Sequence, residues 1–127
     1  MKKKIFLLGI NSFLGSNYFD YEIKKNFFDV YGSFNINKFR ITNEKLRKYS
    51  KKIFQIDLIK GNNSIVNLFN IIKPSIIINF TGISNRNSNN NHFINTNIVK
   101  NILKTVKLSN INLEHFYNIG SCEEYSS

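Results

Sequence analysis

The 127 residues suffice for one domain with a core of its own, and 42% hydrophobic with 20% charged residues is the balance of a globular chain rather than a disordered one. A formal charge of +10 and a pI near 9.8 raise binding to nucleic acid or another polyanion, but the basic residues are scattered instead of gathered on one element, which speaks against it. No apolar run approaches the roughly 20 residues of a membrane span, and the lone Cys122 cannot form an internal disulfide, so no membrane contact is expected and a cytoplasmic setting is.

Alanine and tryptophan are absent while Asn, Lys, Ile, Phe and Tyr abound, the pattern of A+T-rich codons, so lysine fills ordinary surface positions. Lys2-Lys3-Lys4 and the apolar residues after it are too short for a signal peptide, lack a small-residue cleavage site and run straight into a glycine turn. That run, Ile5-Phe6-Leu7-Leu8, predicts a strand over 4–9 buried on both faces. Gly9-Ile10-Asn11-Ser12-Phe13-Leu14-Gly15 follows, and the apolar spacing behind it predicts a helix over 13–25. A strand, a tight glycine turn and a helix opening on it form a phosphate cradle, because unpaired N–H groups and the helix dipole favour an anion there. Gly9, Asn11, Ser12, Phe13, Leu14 and Gly15 are therefore candidate cofactor-binding residues. Serine at position 12 fits such a loop without strain if its φ is negative, and its hydroxyl is then placed to donate to a phosphate.

The run 27–34 predicts a second strand. At its end an acidic residue would accept the ribose hydroxyls of NAD, whereas a basic one would accommodate the 2′-phosphate of NADP. Ser33, Asn35, Asn37, Lys38 and Arg40 stand there, with no carboxylate until Glu44. This leans towards NADP, although an ordinary polar loop explains the same residues. A short helix over 42–49, capped by Thr42 or Asn43, precedes a third strand over 52–58 that contains Asp57 and Leu58. Asn62, Asn63 or Ser64 can cap the next helix, whose broad apolar face spans Ile65 to Ile72 and which Lys73-Pro74 ends. The strand over 75–80 is the most hydrophobic and suits an internal parallel position. It leads through Phe80, Thr81 and Gly82 into a polar loop over 85–91, a helix over 92–108, a last strand over 113–119, and Gly120 to Tyr125. Strands alternating with helices predict a doubly wound, parallel α/β sheet of Rossmann-like type. In such sheets ligands bind beyond the carboxyl ends of the strands, where the Gly9 turn, Ser33, Asp57, Thr81 and Ser121 would emerge. His92, His115 and Cys122 show no metal-ligand spacing.

These signals, in this order, resemble the NAD-dependent epimerase/dehydratase family of extended short-chain dehydrogenase/reductases. Gly9, Phe13, Leu14, Gly15 and Ser16 match its G-x-x-G-F-[IL]-G-S turn, with Ser12 in place of the middle glycine. Asp57-Leu58 resembles the Asp-Leu pair whose aspartate contacts the adenine amino group. Lys73 to Gly82 resembles K-P-D-x-[VI]-[IV]-[NH]-[LF]-A-[AG], whose last residues lie against the nicotinamide ribose and pyrophosphate. Asn95 to Leu103 resembles N-x-x-G-T-x-N-[LI]-L through Asn95, Asn101, Ile102 and Leu103. Ile98-Val99 departs from Gly-Thr there and leaves Asn97 a rival for the helix asparagine. Tyr117 to Tyr125 resembles [FY]-[VI]-x-[IS]-[GS]-[ST]-x-E-x-Y-G. The resemblance implies that Ser121 is the catalytic hydroxyl and Glu123 the acid of a dehydratase, although Cys122 replaces the aspartate that precedes it in those enzymes.

The family's chemistry also needs a Tyr-x-x-x-Lys beyond the serine, in which the lysine lowers the tyrosine pKa for proton abstraction. The sequence to Ser127 contains none there. The chain is thus expected to be the N-terminal NAD(P)-binding portion (residues 1–127) of a nucleotide-sugar epimerase, dehydratase or reductase, inactive alone and ending after about the fifth strand. An exposed sheet edge would then invite association. NADP or NAD is the implied cofactor and a nucleotide sugar the implied substrate of the longer protein, with a homodimer as a possible assembly. The alternatives are a non-catalytic dinucleotide-binding module of the same fold, and charge-driven polyanion binding.

Overall fold

The structure is a computed structural model that describes residues 2–35, 41–58, 63–81 and 91–119. Its elements alternate as β1 (Lys4–Leu8), α1 (Phe13–Lys25), β2 (Asp29–Phe34), α2 (Asn43–Lys48), β3 (Ile53–Gln55), α3 (Asn63–Ile72), β4 (Ile76–Asn79), α4 (Asn91–Leu108) and β5 (His115–Asn118). The five strands form one sheet in the order β3-β2-β1-β4-β5, and every pairing is parallel. This is the doubly wound, Rossmann-like α/β arrangement that the alternation predicts. Most element bounds fall within a residue or two of expectation.

β2 and β3 are shorter than the apolar runs that announce them, for separate reasons, and β5 runs only from His115 to Asn118 within the expected 113–119. Asn26 adopts the left-handed conformation at φ 60° and its N–H bonds the Glu22 carbonyl at 2.9 Å, ending α1. That turn leaves Phe27 73% exposed, so β2 starts at Asp29 rather than at 27. At the far edge, β3 pairs with β2 only from Ile53 to Gln55, because Phe34, opposite Gln55, is the last residue of β2. Ile56 and Leu58 then turn into the core instead of extending the strand to 58.

Alternation along β1 divides the core between the two faces of the sheet. Phe6 and Leu8 join Ile77 under Phe69, Ile98 and Ile102 of α3 and α4. Ile5 and Leu7 join Ile78 under Phe19 of α1. The second face is incompletely covered. Over β4 and β5 it leaves an apolar groove of about 420 Å³, lined by Ile76, Ile78, Phe80, Tyr117 and Ile119 beside Tyr18 of α1. β5 forms the outer edge of the sheet, with Tyr117 and Ile119 exposed.

Beside Tyr18 lies Glu22, buried on α1. The Tyr18 hydroxyl donates to its carboxylate, but among the described residues nothing bonds Glu22 Oε2. Burial pushes the carboxyl pKa up against the counteracting Tyr18 bond, and burial with the nearby carboxylate also pushes Tyr18 up. The folded chain therefore holds a proton that the unfolded chain releases near pH 4, and stability falls as pH rises from that value through the raised pKa. Glu22→Gln is expected to raise Tm at pH 7, with the gain shrinking towards zero as the melt is repeated near pH 4. An unchanged gap between the two pH values would mean that Glu22 is ionised at no cost.

Candidate functional site

The C-terminal ends of the strands come level on one edge. Leu8 is opposite both Ser33 and Asn79, and Asn79 is opposite Asn118. The chain leaves β1 there through Gly9, at φ +88°, a conformation that L side chains rarely adopt. A Cβ on Gly9 would also lie 2.9 Å from the Thr81 nitrogen, so the turn is pressed against the end of β4. The Ser33 carbonyl accepts from the N–H groups of Gly9 and Ile10 at 3.0 and 2.9 Å, tying the same turn to β2. The turn thus sits where strands on either side of β1 diverge, the crevice in which open α/β sheets bind ligands.

Helix α1 opens on this turn. Ser12 has φ −81°, the extended conformation of an N-cap, so serine replaces glycine without strain. Its hydroxyl accepts from Gly15 N–H at 3.0 Å and donates to the Gly9 carbonyl at 2.8 Å. The single hydroxyl hydrogen is therefore committed to the turn, and the expected donation to a phosphate gives way to a capping role. Removing the hydroxyl in Ser12→Ala should lower stability by about 1 kcal/mol, and Ser12→Gly by only a few tenths, in urea unfolding. Equal losses would show that the cap carries no weight.

Gly15 lies against the turn so closely that a Cβ would fall well inside contact distance of the Gly9 carbonyl oxygen and 2.8 Å from Ser12 Oγ. The helix start itself is open. Phe13 and Leu14 are 61% and 52% exposed, so no large side chain is buried across the amides of the first turn.

The other candidates divide by strand. Ser33 is buried at the end of β2, and beyond it Asn35 accepts from Asn11 Nδ2 at 3.1 Å, joining the glycine turn to the β2 exit. Asp57 and Leu58 follow β3, but Leu58 points into the core, and its carbonyl accepts from Asn101 Nδ2 of α4 at 2.6 Å. Phe80 packs on the Tyr18 ring, with centroids 5.7 Å apart, and so faces the apolar groove. Thr81 stands against the Gly9 turn. Asn95 falls within α4, with its side chain outside the described residues, where Lys38, Gly82, Ser121 and Glu123 also lie. The structure therefore brings Gly9 to Gly15, Ser33, Asn35 and Thr81 together on one edge.

Two further residues of this edge, Asn79 and Asn118, are not among the candidates that the sequence predicts. Asn79 is 1% exposed at the end of β4, and its Oδ1 accepts from both the N–H of Thr81, at 3.0 Å, and the Thr81 hydroxyl. Its Nδ2 donates to Asn118 Oδ1 on β5 at 2.9 Å. The signal was present as an amide closing an otherwise apolar strand. Its partners belong to the fold.

Among the described residues no three His, Cys, Asp or Glu side chains converge as metal ligands, and no helix is long and apolar enough to cross a membrane.

Comparison with known proteins agrees with this geometry. No curated protein matches the sequence. Among solved structures, an epimerase-like protein of Burkholderia cenocepacia J2315 superposes with a TM-score of 0.68 at 13% identity, over 91% of this chain and 36% of that one. The Bordetella bronchiseptica enzyme WbmG, in complex with NAD, superposes with a TM-score of 0.67 at 15% identity, over 93% and 37%. The WbmH enzyme of the same organism, in complex with NAD+, gives 0.59 at 17% identity, over 86% and 36%. At these identities the likeness is one of fold, and the chain spans little more than a third of the length of the structures it matches. The family assignment comes from the sequence itself, which matches the NAD dependent epimerase/dehydratase family over residues 5–127, and the chain belongs to that family.

Proposed function

We propose that residues 1–127 form the nicotinamide-dinucleotide-binding part of a longer nucleotide-sugar epimerase, dehydratase or reductase. The observation that carries the reading is the corner built by Gly9, Ser12 and Gly15, where a turn bounded by two glycines meets the open start of α1 at the carboxyl edge of a parallel sheet. A pyrophosphate at this corner meets the first-turn N–H groups and the positive end of the helix dipole, worth about 0.3–1 kcal/mol at an exposed site. Ser33, Asn35 and Lys38 serve the adenosine ribose and Asp57 the adenine, while Leu58, turned into the core, packs beneath it. Phe80, Thr81, Gly82 and Asn95 serve the second ribose and pyrophosphate. Asn35 and Asp57 follow β2 and β3 on the side of the sheet from which the glycine turn leaves β1, which supports this division.

The bound dinucleotide would supply hydride exchange at a sugar carbon. Ser121 and Glu123 follow β5 in the sequence and would act on the substrate in the longer protein. WbmG has been crystallised with NAD and UDP together, which supports a nucleotide sugar as the substrate class. Neutral Asn35, joined to Asn11, offers no carboxylate to the adenosine ribose, and this favours NADP over NAD.

Calorimetric titration of the chain with NADP, NAD and a nucleic-acid duplex tests the proposal. A saturable 1:1 isotherm with NADP, weaker with NAD and uncompeted by the duplex, is expected. Duplex binding that disappears with salt, without any dinucleotide isotherm, would replace the proposal with charge-driven polyanion binding.

A further inference from the structure

Helices that return between parallel strands run antiparallel to them, so each helix end and the strand start after it come to one pole, opposite the glycine turn. Backbone bonds hold this pole level. The Lys3 and Lys4 carbonyls accept from the N–H groups of Asp29 and Ser75 at 2.9 Å, and the Ser75 carbonyl accepts from that of Glu114 at 2.7 Å. The ends of α3 and α4 are joined where the Asn110 N–H donates to Asn70 Oδ1 at 2.6 Å.

Three of these turns share one pattern. Phe27, Ile71 and Leu108 stand 73%, 77% and 60% exposed where the chain leaves α1, α3 and α4. Beside them are Lys24 and Lys25, Lys73, and Lys107, all exposed. The carboxylates at the strand starts are neutralised, Asp29 by Lys52 and Glu114 by Lys3. Among the described residues no carboxylate pairs with the four lysines of the turns. At the opposite edge, the described residues between each strand and the helix after it include no lysine or arginine. Basic residues that are scattered along the chain are thus gathered by its crossovers.

The helix dipole accounts for lysine in a last turn, but not for a large apolar side chain held in water beside it. A single exposed apolar residue is ordinary, whereas one at each of three level turns, each next to unpaired positive charge, makes a surface. A nucleic acid would use the lysines but find in Ile71 and Leu108 no ring on which to stack a base. An anionic lipid surface uses both, since its headgroups attract the lysines while the apolar side chains enter the acyl boundary. We propose that the amino-terminal pole of the sheet docks on an anionic bilayer through Phe27, Ile71, Leu108 and the lysines beside them, leaving the glycine turn facing the aqueous phase. Such docking needs no spanning segment and stands apart from the dinucleotide reading.

The chain contains no tryptophan, so Phe27→Trp, Ile71→Trp, Leu108→Trp and, at the opposite edge, Leu14→Trp each carry a single fluorescent reporter. Each is mixed with vesicles of phosphatidylcholine alone and with vesicles of equal parts phosphatidylcholine and phosphatidylglycerol. The three reporters at the pole should shift to the blue with the anionic vesicles only, and Leu14→Trp should emit as it does in buffer. In co-sedimentation with the anionic vesicles, Lys24→Gln with Lys25→Gln, and Lys73→Gln with Lys107→Gln, should each weaken binding about 25-fold, or about fivefold for each charge. Lys100→Gln, midway along α4, should change it by about twofold or less. Phe27→Ala, Ile71→Ala and Leu108→Ala combined should weaken it about tenfold or more and leave the thermal melt cooperative.

A shift in Leu14→Trp as large as those at the pole would mean that the chain lies on lipid in no fixed orientation, and would overturn the proposal. Equal binding to both kinds of vesicle, or to neither, would overturn it too. Sedimentation without a shift at any of the three pole reporters, and reversed by a nucleic-acid duplex, would replace the bilayer with polyanions at large.

Discussion

Gly15→Ala is expected to destabilise the chain by about 1–3 kcal/mol and to abolish detectable dinucleotide binding. The sign is opposite to that of an ordinary helix, where the same change gains about 1 kcal/mol because glycine loses more backbone freedom on folding. Here the added methyl would overlap the Gly9 carbonyl oxygen, a backbone atom, and lie 2.8 Å from Ser12 Oγ, which its cap bonds hold in place. Relief requires the helix start to move away from β1. That movement breaks the Ser12–Gly15 cap bond and displaces the first-turn amides from the corner. Gly9→Ala should be at least as damaging, since a left-handed φ costs an L residue about 1–2 kcal/mol before its overlap with Thr81 is counted. Urea unfolding and the same calorimetric titration measure both effects. A Gly15→Ala chain more stable than wild type would show that α1 does not press on the turn.

The second large effect is expected at Phe6. It is fully buried at the centre of the sheet, with its ring edge-on to Phe69 at 5.2 Å and stacked with Phe54 at 6.4 Å. Phe6→Ala removes the side chain that joins β1 to α3 and to the β3 edge, and truncations of this kind cost about 3–5 kcal/mol. A single domain has only about 5–15 kcal/mol in total, so the variant should be largely unfolded at 37 °C and lose its cooperative melt. Phe27, which is mostly exposed, is the control: Phe27→Ala should shift the midpoint little. A cooperative transition near the wild-type temperature in Phe6→Ala would place the core elsewhere.

The contrast between Phe6 and Phe27 shows how far local pattern reaches. Both are large apolar residues near a strand, and their runs look alike in the sequence. What separates them is the left-handed Asn26, which swings the chain so that Phe27 points to solvent before β2 begins. The third strand is shorter than its apolar pattern for a related reason. Ile56 and Leu58 are apolar because α3 and α4 cover them, not because they continue the sheet.

The candidate site was legible to the same degree. The glycine turn declares itself because its requirements are local: a positive φ at Gly9, no room for a methyl at Gly15, and a cap at Ser12. The role of the Ser12 hydroxyl was not legible, because its donor is taken by a carbonyl three residues back only once the turn has closed. Asn79 was harder still. Its amide matters through Thr81, two residues away, and through Asn118, on a strand that becomes its neighbour only in the sheet.

Sequence alone determined the alternation of five strands and four helices, the family, and the turn on which α1 opens. These follow from periodicity and from steric limits that act within a few residues. The tertiary structure decided the strand order, which sets Thr81 against Gly9, the register, which sets Asn79 beside Asn118, and the direction in which those amides point. The physical reason is range. Backbone preference is settled by neighbours in the chain, whereas a buried hydrogen bond takes its direction from whichever donor or acceptor the packed sheet brings to it.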